Sequence, residues 1–185
     1  MRTRRALLDA LLLLMAERGW DDISVQDICS RADVGRSTFY LHYQGKEQLL
    51  DGGLSELRQA VQLQSKAHDD GKNGSKNGKL SFARGLIDHV FEQRRLFRSI
   101  IGRRSGHVVQ RQFRQMVFQL TEEDLSRSAK PSWQRDACVH IIAGAFVELL
   151  TWVAESKNRV TAGEVEDHFR QSMLPAINKL MAPSP

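Results

Sequence analysis

The chain has 185 residues, 41% of them hydrophobic and 26% charged, with two cysteines and a formal charge of +5. A chain of that length buries a core without disulfides or metal; Cys29 and Cys138 lack CxxC spacing, which argues against a disulfide framework or zinc site and fits a reducing, cytoplasmic setting. The positive balance favours anionic partners, yet residues 1–50 hold seven Lys/Arg against seven Asp/Glu, and the excess lies in 72–114, eleven against two.

The N-terminal run MRTRRALLDALLLLMA has the basic start of a secretory signal. Asp9 interrupts its apolar part, however, and no small-x-small cleavage site follows. Leu7, Ala10, Leu11 and Leu14 instead form an i, i+3, i+4, i+7 stripe, which predicts a core helix over Thr3–Arg18. Thr3 is placed to cap it and Gly19 to stop it in a left-handed conformation. Arg2, Arg4 and Arg5 at its start fit a phosphate backbone or a solvated terminus equally well. No later run is expected to reach the ~20 apolar residues of a membrane span.

Ser24 precedes Val25, Ile28, Cys29 and Ala32, the same stripe after a capping hydroxyl. Asp27, three residues on, completes a capping box. Both cysteines sit on apolar helical faces and read as buried thiols. Asp33-Val34-Gly35 breaks the pattern: Asp33 tolerates a turn, Gly35 relaxes the backbone, and Val34 plugs between helices. The next helix, from Arg36 to about Tyr43, turns Phe39 and Tyr43 inward. Arg36, Ser37, Tyr40 and Leu41 stay outside, flanked by Thr38 and His42. A core gains nothing from that face, but a major groove does. Arg pairs with guanine, hydroxyls reach bases or phosphates, and an apolar group meets a thymine methyl.

Gly45-Lys46 opens a helix carrying Leu49, Leu50, Leu54, Leu57, Val61 and Leu63. A cation there opposes the helix dipole, and a phosphate bound at that end would reverse the cost; the plain alternative is an exposed lysine. The Gly/Asn-rich stretch Asp69 to Lys79 reads as a flexible loop within about 65–79, and its Asn73-Gly74-Ser75 sequon as loop composition. Beyond it, helices are expected near 80–94, 96–103, 107–128, 132–156 and 162–181. No strand alternation appears, so the fold is all-α with about nine helices. Residues 1–50 form a helix-turn-helix DNA-binding domain (motif about 24–43) and residues 51–185 a larger helical domain.

The segment from Ala32 through Arg36-Ser-Thr-Phe-Tyr-Leu-His-Tyr to Leu49 resembles the TetR family of bacterial transcriptional regulators, and the likeness covers residues 3–57. The resemblance implies a core of Val25, Ile28, Ala32, Val34, Phe39 and Tyr43. It places Ser24 and Gln26 near phosphates, Arg36, Ser37 and Tyr40 at base-reading positions beside Leu41, and Thr38, Tyr40, His42 and Lys46 on the DNA backbone. Asp33 stands where the family often has Gly, and Gly35 where it often has Ser or Asn; Gly45 likewise replaces a common polar cap. These departures weaken transfer of any particular operator. The second half is more loosely similar to the family's ligand-binding and dimerisation region, through Phe97–Phe118 and the block 143–155, which resemble a C-terminal domain type first described in Firmicutes. The resemblance implies a homodimeric repressor released from DNA by a small molecule.

The residues add their own support for a dimer. Ala137, Ile141, Gly144, Ala145, Glu148 and Trp152 share one stripe, and Val165, Phe169, Met173, Ile177 and Leu180 a second. Two such helices from each chain would make a four-helix interface, unless both stripes bury against their own chain. Phe91, Phe97, Phe113, Met116, Phe118, His140 and Trp152 are candidates to line an effector pocket, though residues of this kind at helical spacing are usually plain core. Arg94, Arg95, Arg98, Arg103 and Arg104 are either solvated faces and loop anchors or would favour an anionic effector. No GxxxxGK[ST], HExxH, GxSxG or paired-His pattern occurs, so no enzyme, metal or cofactor is expected. The alternative to a specific regulator is an architectural or weakly specific DNA-binding protein using the basic 72–114 stretch.

Overall fold

The computed structural model describes residues 2–69, 79–101, 106–127, 130–157 and 159–181. Among these residues there are nine α-helices and no strand: α1 (Arg2–Glu17), α2 (Val25–Ala32), α3 (Arg36–Tyr40), α4 (Lys46–Asp69), α5 (Phe82–Glu92), α6 (Arg94–Ile101), α7 (Gly106–Ser126), α8 (Trp133–Glu155) and α9 (Ala162–Met181), with a 3-10 turn at Trp20–Asp22. The all-α architecture is as expected, with an N-terminal helix-turn-helix followed by a larger helical region. The part of the loop at 70–78, including the Asn73 sequon, lies outside the described residues, as do Arg103 and Arg104.

The stripe Leu7, Ala10, Leu11 and Leu14 is buried on α1, with Leu8 and Met15 beside it. Two end signals differ from expectation. Thr3 lies inside the first turn rather than capping it. Gly19 has φ −64°, ψ 155°, so α1 stops by running into extended chain, with no left-handed residue. The cap of α2 forms as the sequence implies: the Ser24 hydroxyl accepts from the Asp27 amide, and the Asp27 carboxylate accepts from the Ser24 amide at 2.8 Å. Ile28 and Cys29 then point into the core formed with α1.

α4 crosses the expected boundary at residues 50 and 51 without a break. Leu49, Leu50, Leu54 and Val61 are buried along it, whereas Leu63 is turned to solvent. A polar cluster ties α4 to α7: Arg58 donates to Gln119 at 3.0 Å and to Glu123, which also accepts from Gln62 at 2.6 Å. Ahead of α5, Leu80 is fully buried with φ 59°. A left-handed Leu is costly. It is held because its amide donates to the Asp124 carboxylate and its carbonyl accepts from Arg170 at 3.4 Å. Burial pushes the Asp124 carboxyl up, and the Leu80 amide and neighbouring Arg127 oppose that rise.

α8 is the central helix of the second region and packs against α5, α6, α7 and α9. Val139, Ile142, Ala143, Phe146, Leu150 and Val153 fill its inner face. Contrary to the expectation that no run would suffice, α8 is long and apolar enough by length and composition to cross a membrane, with mean hydropathy 1.8. Its inner face instead meets other helices of the bundle. The α9 stripe also needs correction as a dimer surface: Val165, Phe169 and Ile177 are buried in their own chain, and Phe169 packs on Phe146 with ring centroids 4.7 Å apart. Met173 is partly buried with them, and the Leu180 side chain is outside the described set.

Candidate nucleic-acid interface

α3 is shorter than expected, five residues from Arg36 to Tyr40, because the chain tightens at its end: the amides of His42 and Tyr43 both donate to the Phe39 carbonyl, at 2.9 and 3.0 Å. Phe39 is fully buried, and Tyr43 packs against it with centroids 5.8 Å apart. These two anchors fix the rotation of the helix. Arg36, Ser37, Tyr40 and Leu41 are consequently exposed, with Leu41 81% and Tyr40 51% accessible. The Arg36 guanidinium lies 5.9 Å from the Tyr40 ring centroid, which pre-orients it without removing its donors. Thr38 and His42 sit half-buried at the edges of this face. An exposed Leu beside an Arg, a hydroxyl and a phenol matches what base edges and thymine methyls offer.

The turn holding α3 against α2 depends on Asp33, whose φ of 52° and ψ of 48° make it the left-handed C-cap of α2. Gly35, by contrast, has φ −65°, ψ 144°, and a Cβ there would meet nothing nearer than 3.8 Å. Glycine is therefore not required at 35, and the expectation that it relaxes the backbone is not met. Its effect is to leave the N-terminus of α3 without a side-chain cap.

Two residues expected at phosphates have other partners. Ser24 donates its hydroxyl proton to Asp27 at 2.6 Å. Together with the Ser24 amide and Arg18, that bond holds the Asp27 carboxyl down to about 2. Lys46 reaches across to the turn before α2, where its ammonium donates to the Trp20 carbonyl at 2.8 Å and the Ile23 carbonyl at 2.7 Å. It also lies 4.7 Å from the Trp20 ring centroid. Ser24 caps α2 at the surface, and Lys46 braces the turn before it. The cost of a cation at the start of α4 is offset here by two protein carbonyls. Gln26 is exposed and donates to Ser30 at 3.1 Å. From the motif's first helix, Arg31 grips Glu17 through two bonds of 2.9 and 2.7 Å, locking α2 to α1.

The expected effector residues do not converge. Phe97 and Phe113 stack edge-on, 5.7 Å apart, and line an apolar cavity of about 70 Å³ beneath Leu8, Gly53 and His89. Met116 is plain core and Phe91 partly buried, while Phe118 meets His140 on a different face, at 4.8 Å. His140 and Trp152 are exposed on α8. Of the two readings of the arginines, Arg94 and Arg98 take that of anchors: Arg94 donates to the Ala154 and Ser156 carbonyls, and Arg98 to Ala154 at 2.9 and 3.1 Å. They cap the C-terminal end of α8, where cations are favoured; Arg95 has interactions of its own. The larger cleft, about 420 Å³ between α4, α5 and α9, is walled by charged residues, in which Arg84 pairs with Asp88 and with Glu166.

The α8 stripe is disposed differently from that of α9. Ile141, Glu148 and Trp152 are exposed, Ala137, Gly144 and Ala145 are half-buried, and a Cβ at Gly144 would meet no atom within 4 Å. Trp133 extends the same exposed apolar character at 75% accessibility. Sequence reasoning missed Trp133, because periodicity cannot tell an outward apolar stripe from an inward one.

Residues 7–52 match the model of the bacterial regulatory proteins of the tetR family. A segment of 51 residues is 43% identical to an uncharacterized HTH-type transcriptional regulator, YxbF, of Bacillus subtilis (strain 168); it covers 27% of this chain but only 13% of that protein. Among solved structures, a TetR transcriptional regulator from Streptococcus agalactiae 2603V superposes with TM-score 0.65 at 21% identity, covering 92% of this chain and 93% of its own. One from Syntrophomonas wolfei assigned to the same family superposes with TM-score 0.75 at 16% identity, covering 98% of both. At these identities the structural likeness shows the fold.

Proposed function

We propose, for a chain whose N-terminal domain belongs to the tetR family of bacterial regulatory proteins, that it is a homodimeric repressor released from a near-palindromic operator by a small molecule. The observation that carries the reading is the outward face of α3. Arg36, Ser37, Tyr40 and Leu41 are exposed on a helix that Phe39 anchors from behind. Base contacts of this kind specify, while backbone contacts position. A second copy is taken to cover the exposed face of α8, where Ile141 and Trp152 flank small residues that admit close helix approach. Such a two-fold pair would hold the recognition helices one DNA turn apart, ~34–36 Å.

The architectural alternative loses support because Arg94 and Arg98, within the basic stretch that suggested it, hold α8 carbonyls. Binding assays with a duplex selected from a random pool test the proposal. Arg36→Ala and Tyr40→Ala should each lower preference for that duplex over a shuffled one by roughly 5- to 100-fold, as loss of a base contact does, while melting stays parental. Equal preference in parent and variants would defeat the assignment.

A further inference from the structure

We infer that a small lipophilic cation binds in the crevice where α1 crosses α4 and α5, its apolar body against Leu8, Leu12 and Leu57 with its end reaching the chamber beneath Leu8 and Gly53, and its charge between Glu56 and Glu92. This rests on the effector-responsive reading above and gives that effector a place and a charge.

Two spaces share walls there. The inner chamber, about 70 Å³, is closed by Leu50, Leu54, Leu96, Phe97 and Phe113. An outer crevice of about 250 Å³ shares Leu8, Leu12, Gly53, Leu57 and His89 with it and opens to solvent between α1, α4 and α5. Gly53 stands at the junction: a Cβ there would lie 2.5 Å from a Leu8 methyl, so any side chain at 53 would push the Leu8 side chain out of its present place between α1 and α4. An apolar interior with a few polar groups at its mouth is the usual form of a small-molecule site.

The mouth has a sign. Its charged residues are Arg5, Glu56, Asp88 and Glu92. Arg5 turns back onto Asp9 at 3.0 Å, and Arg84 holds Asp88 at 2.7 Å. Among the described residues no ion pair engages Glu56 or Glu92. His89 stands at the neck, its ring edge-on to Phe97 at 5.5 Å; burial pushes its imidazole down, against an opposing pull from the Glu92 carboxylate, which disfavours a competing positive charge there. An anion would face two carboxylates that no ion pair engages among the described residues, and a neutral compound would gain the apolar contacts alone.

The place also connects to DNA binding. α1 packs on α2 and α4, and the opposite walls come from α5, α6 and α7. A body lodged between them favours whichever spacing of α1 and α4 against the rest accommodates it, and α3 follows α1 through α2.

Calorimetric titration of the full chain tests this with 4-phenylbutylamine, 4-phenylbutanol and 4-phenylbutyrate, which share a body and differ in charge. An exposed carboxylate about 6 Å from a bound ammonium raises affinity roughly threefold, and two raise it roughly tenfold. The amine should therefore bind about tenfold tighter than the alcohol and tighter still than the acid. Glu56→Gln combined with Glu92→Gln, both at exposed positions, should remove that preference and leave alcohol binding intact. Leu57→Trp, which fills the neck, should weaken all three more than tenfold. The inference is overturned if the acid binds as well as the amine, if the double variant keeps the preference, or if a folded Leu57→Trp protein binds as the parent does. DNA selection without ligand is scored separately. A protein that selects a duplex yet ignores the amine retains the regulator reading and loses this site; one that binds the amine in the stated order yet selects no duplex does the reverse.

Discussion

Replacing Lys46 with Met keeps the aliphatic stem and removes the ammonium, which separates a structural brace from a phosphate contact. Two short charge-assisted bonds, to the Trp20 and Ile23 carbonyls, are lost. Trp20 keeps one partner, the Ile23 amide at 3.2 Å, so its carbonyl is not stranded. Each such bond contributes about 1 kcal/mol net at a half-exposed site, and the contact with the Trp20 ring adds about 0.5 kcal/mol. The expected loss is therefore about 2–3 kcal/mol, which for a chain of this size lowers Tm by roughly 4–12 °C. Thermal and urea unfolding give the stability, and DNA affinity against salt gives the contact count. A phosphate-binding lysine would leave stability alone and reduce the salt slope by about 0.9. Parental stability combined with that reduced slope would refute the brace.

Further outcomes follow from other contacts. Ile141→Arg or Gly144→Arg, on the open face of α8, should convert a dimer to a monomer in sedimentation while helicity stays parental; a dimer in both variants would remove α8 from the interface. The Asp27 carboxyl is held at about 2 against an ordinary 3.8, so it contributes stability that is fully present above about pH 4 and is lost as pH falls towards 2. Asp27→Asn should lack that part of the acid dependence, and matching urea midpoints from pH 4.5 to 2 in both proteins would contradict the cap. Arg98→Ala removes a guanidinium from the end of α8 and should cost about 1–2 kcal/mol in urea unfolding; no change would show that Arg94 suffices alone.

What could be read from the residues divides by range along the chain. The α1 stripe, the Ser24–Asp27 capping box and the five helices after the loop were legible because they depend on periodicity and neighbours three or four positions away. The anchoring of α3 by Phe39 and Tyr43 was legible for the same reason. Lys46 was not: its partners at Trp20 and Ile23 lie 26 and 23 positions earlier, and only the docking of α4 against that turn brings them together. Arg98 is similarly opposite Ala154 through packing of α6 on α8. The α9 stripe shows the limit of a hydrophobic pattern, which says that a face is buried and leaves open against which chain. Val165, Phe169 and Ile177 meet their own chain; the α8 stripe points outward.

The most direct test of the account is the affinity ratio of the purified protein for its selected duplex over a shuffled duplex of equal length at physiological salt. A specific regulator should show a ratio of about 10³ or more, with two chains bound per duplex and half-sites centred ~10 base pairs, or a multiple of that, apart. A ratio near one, with steep salt dependence on both duplexes, would contradict it.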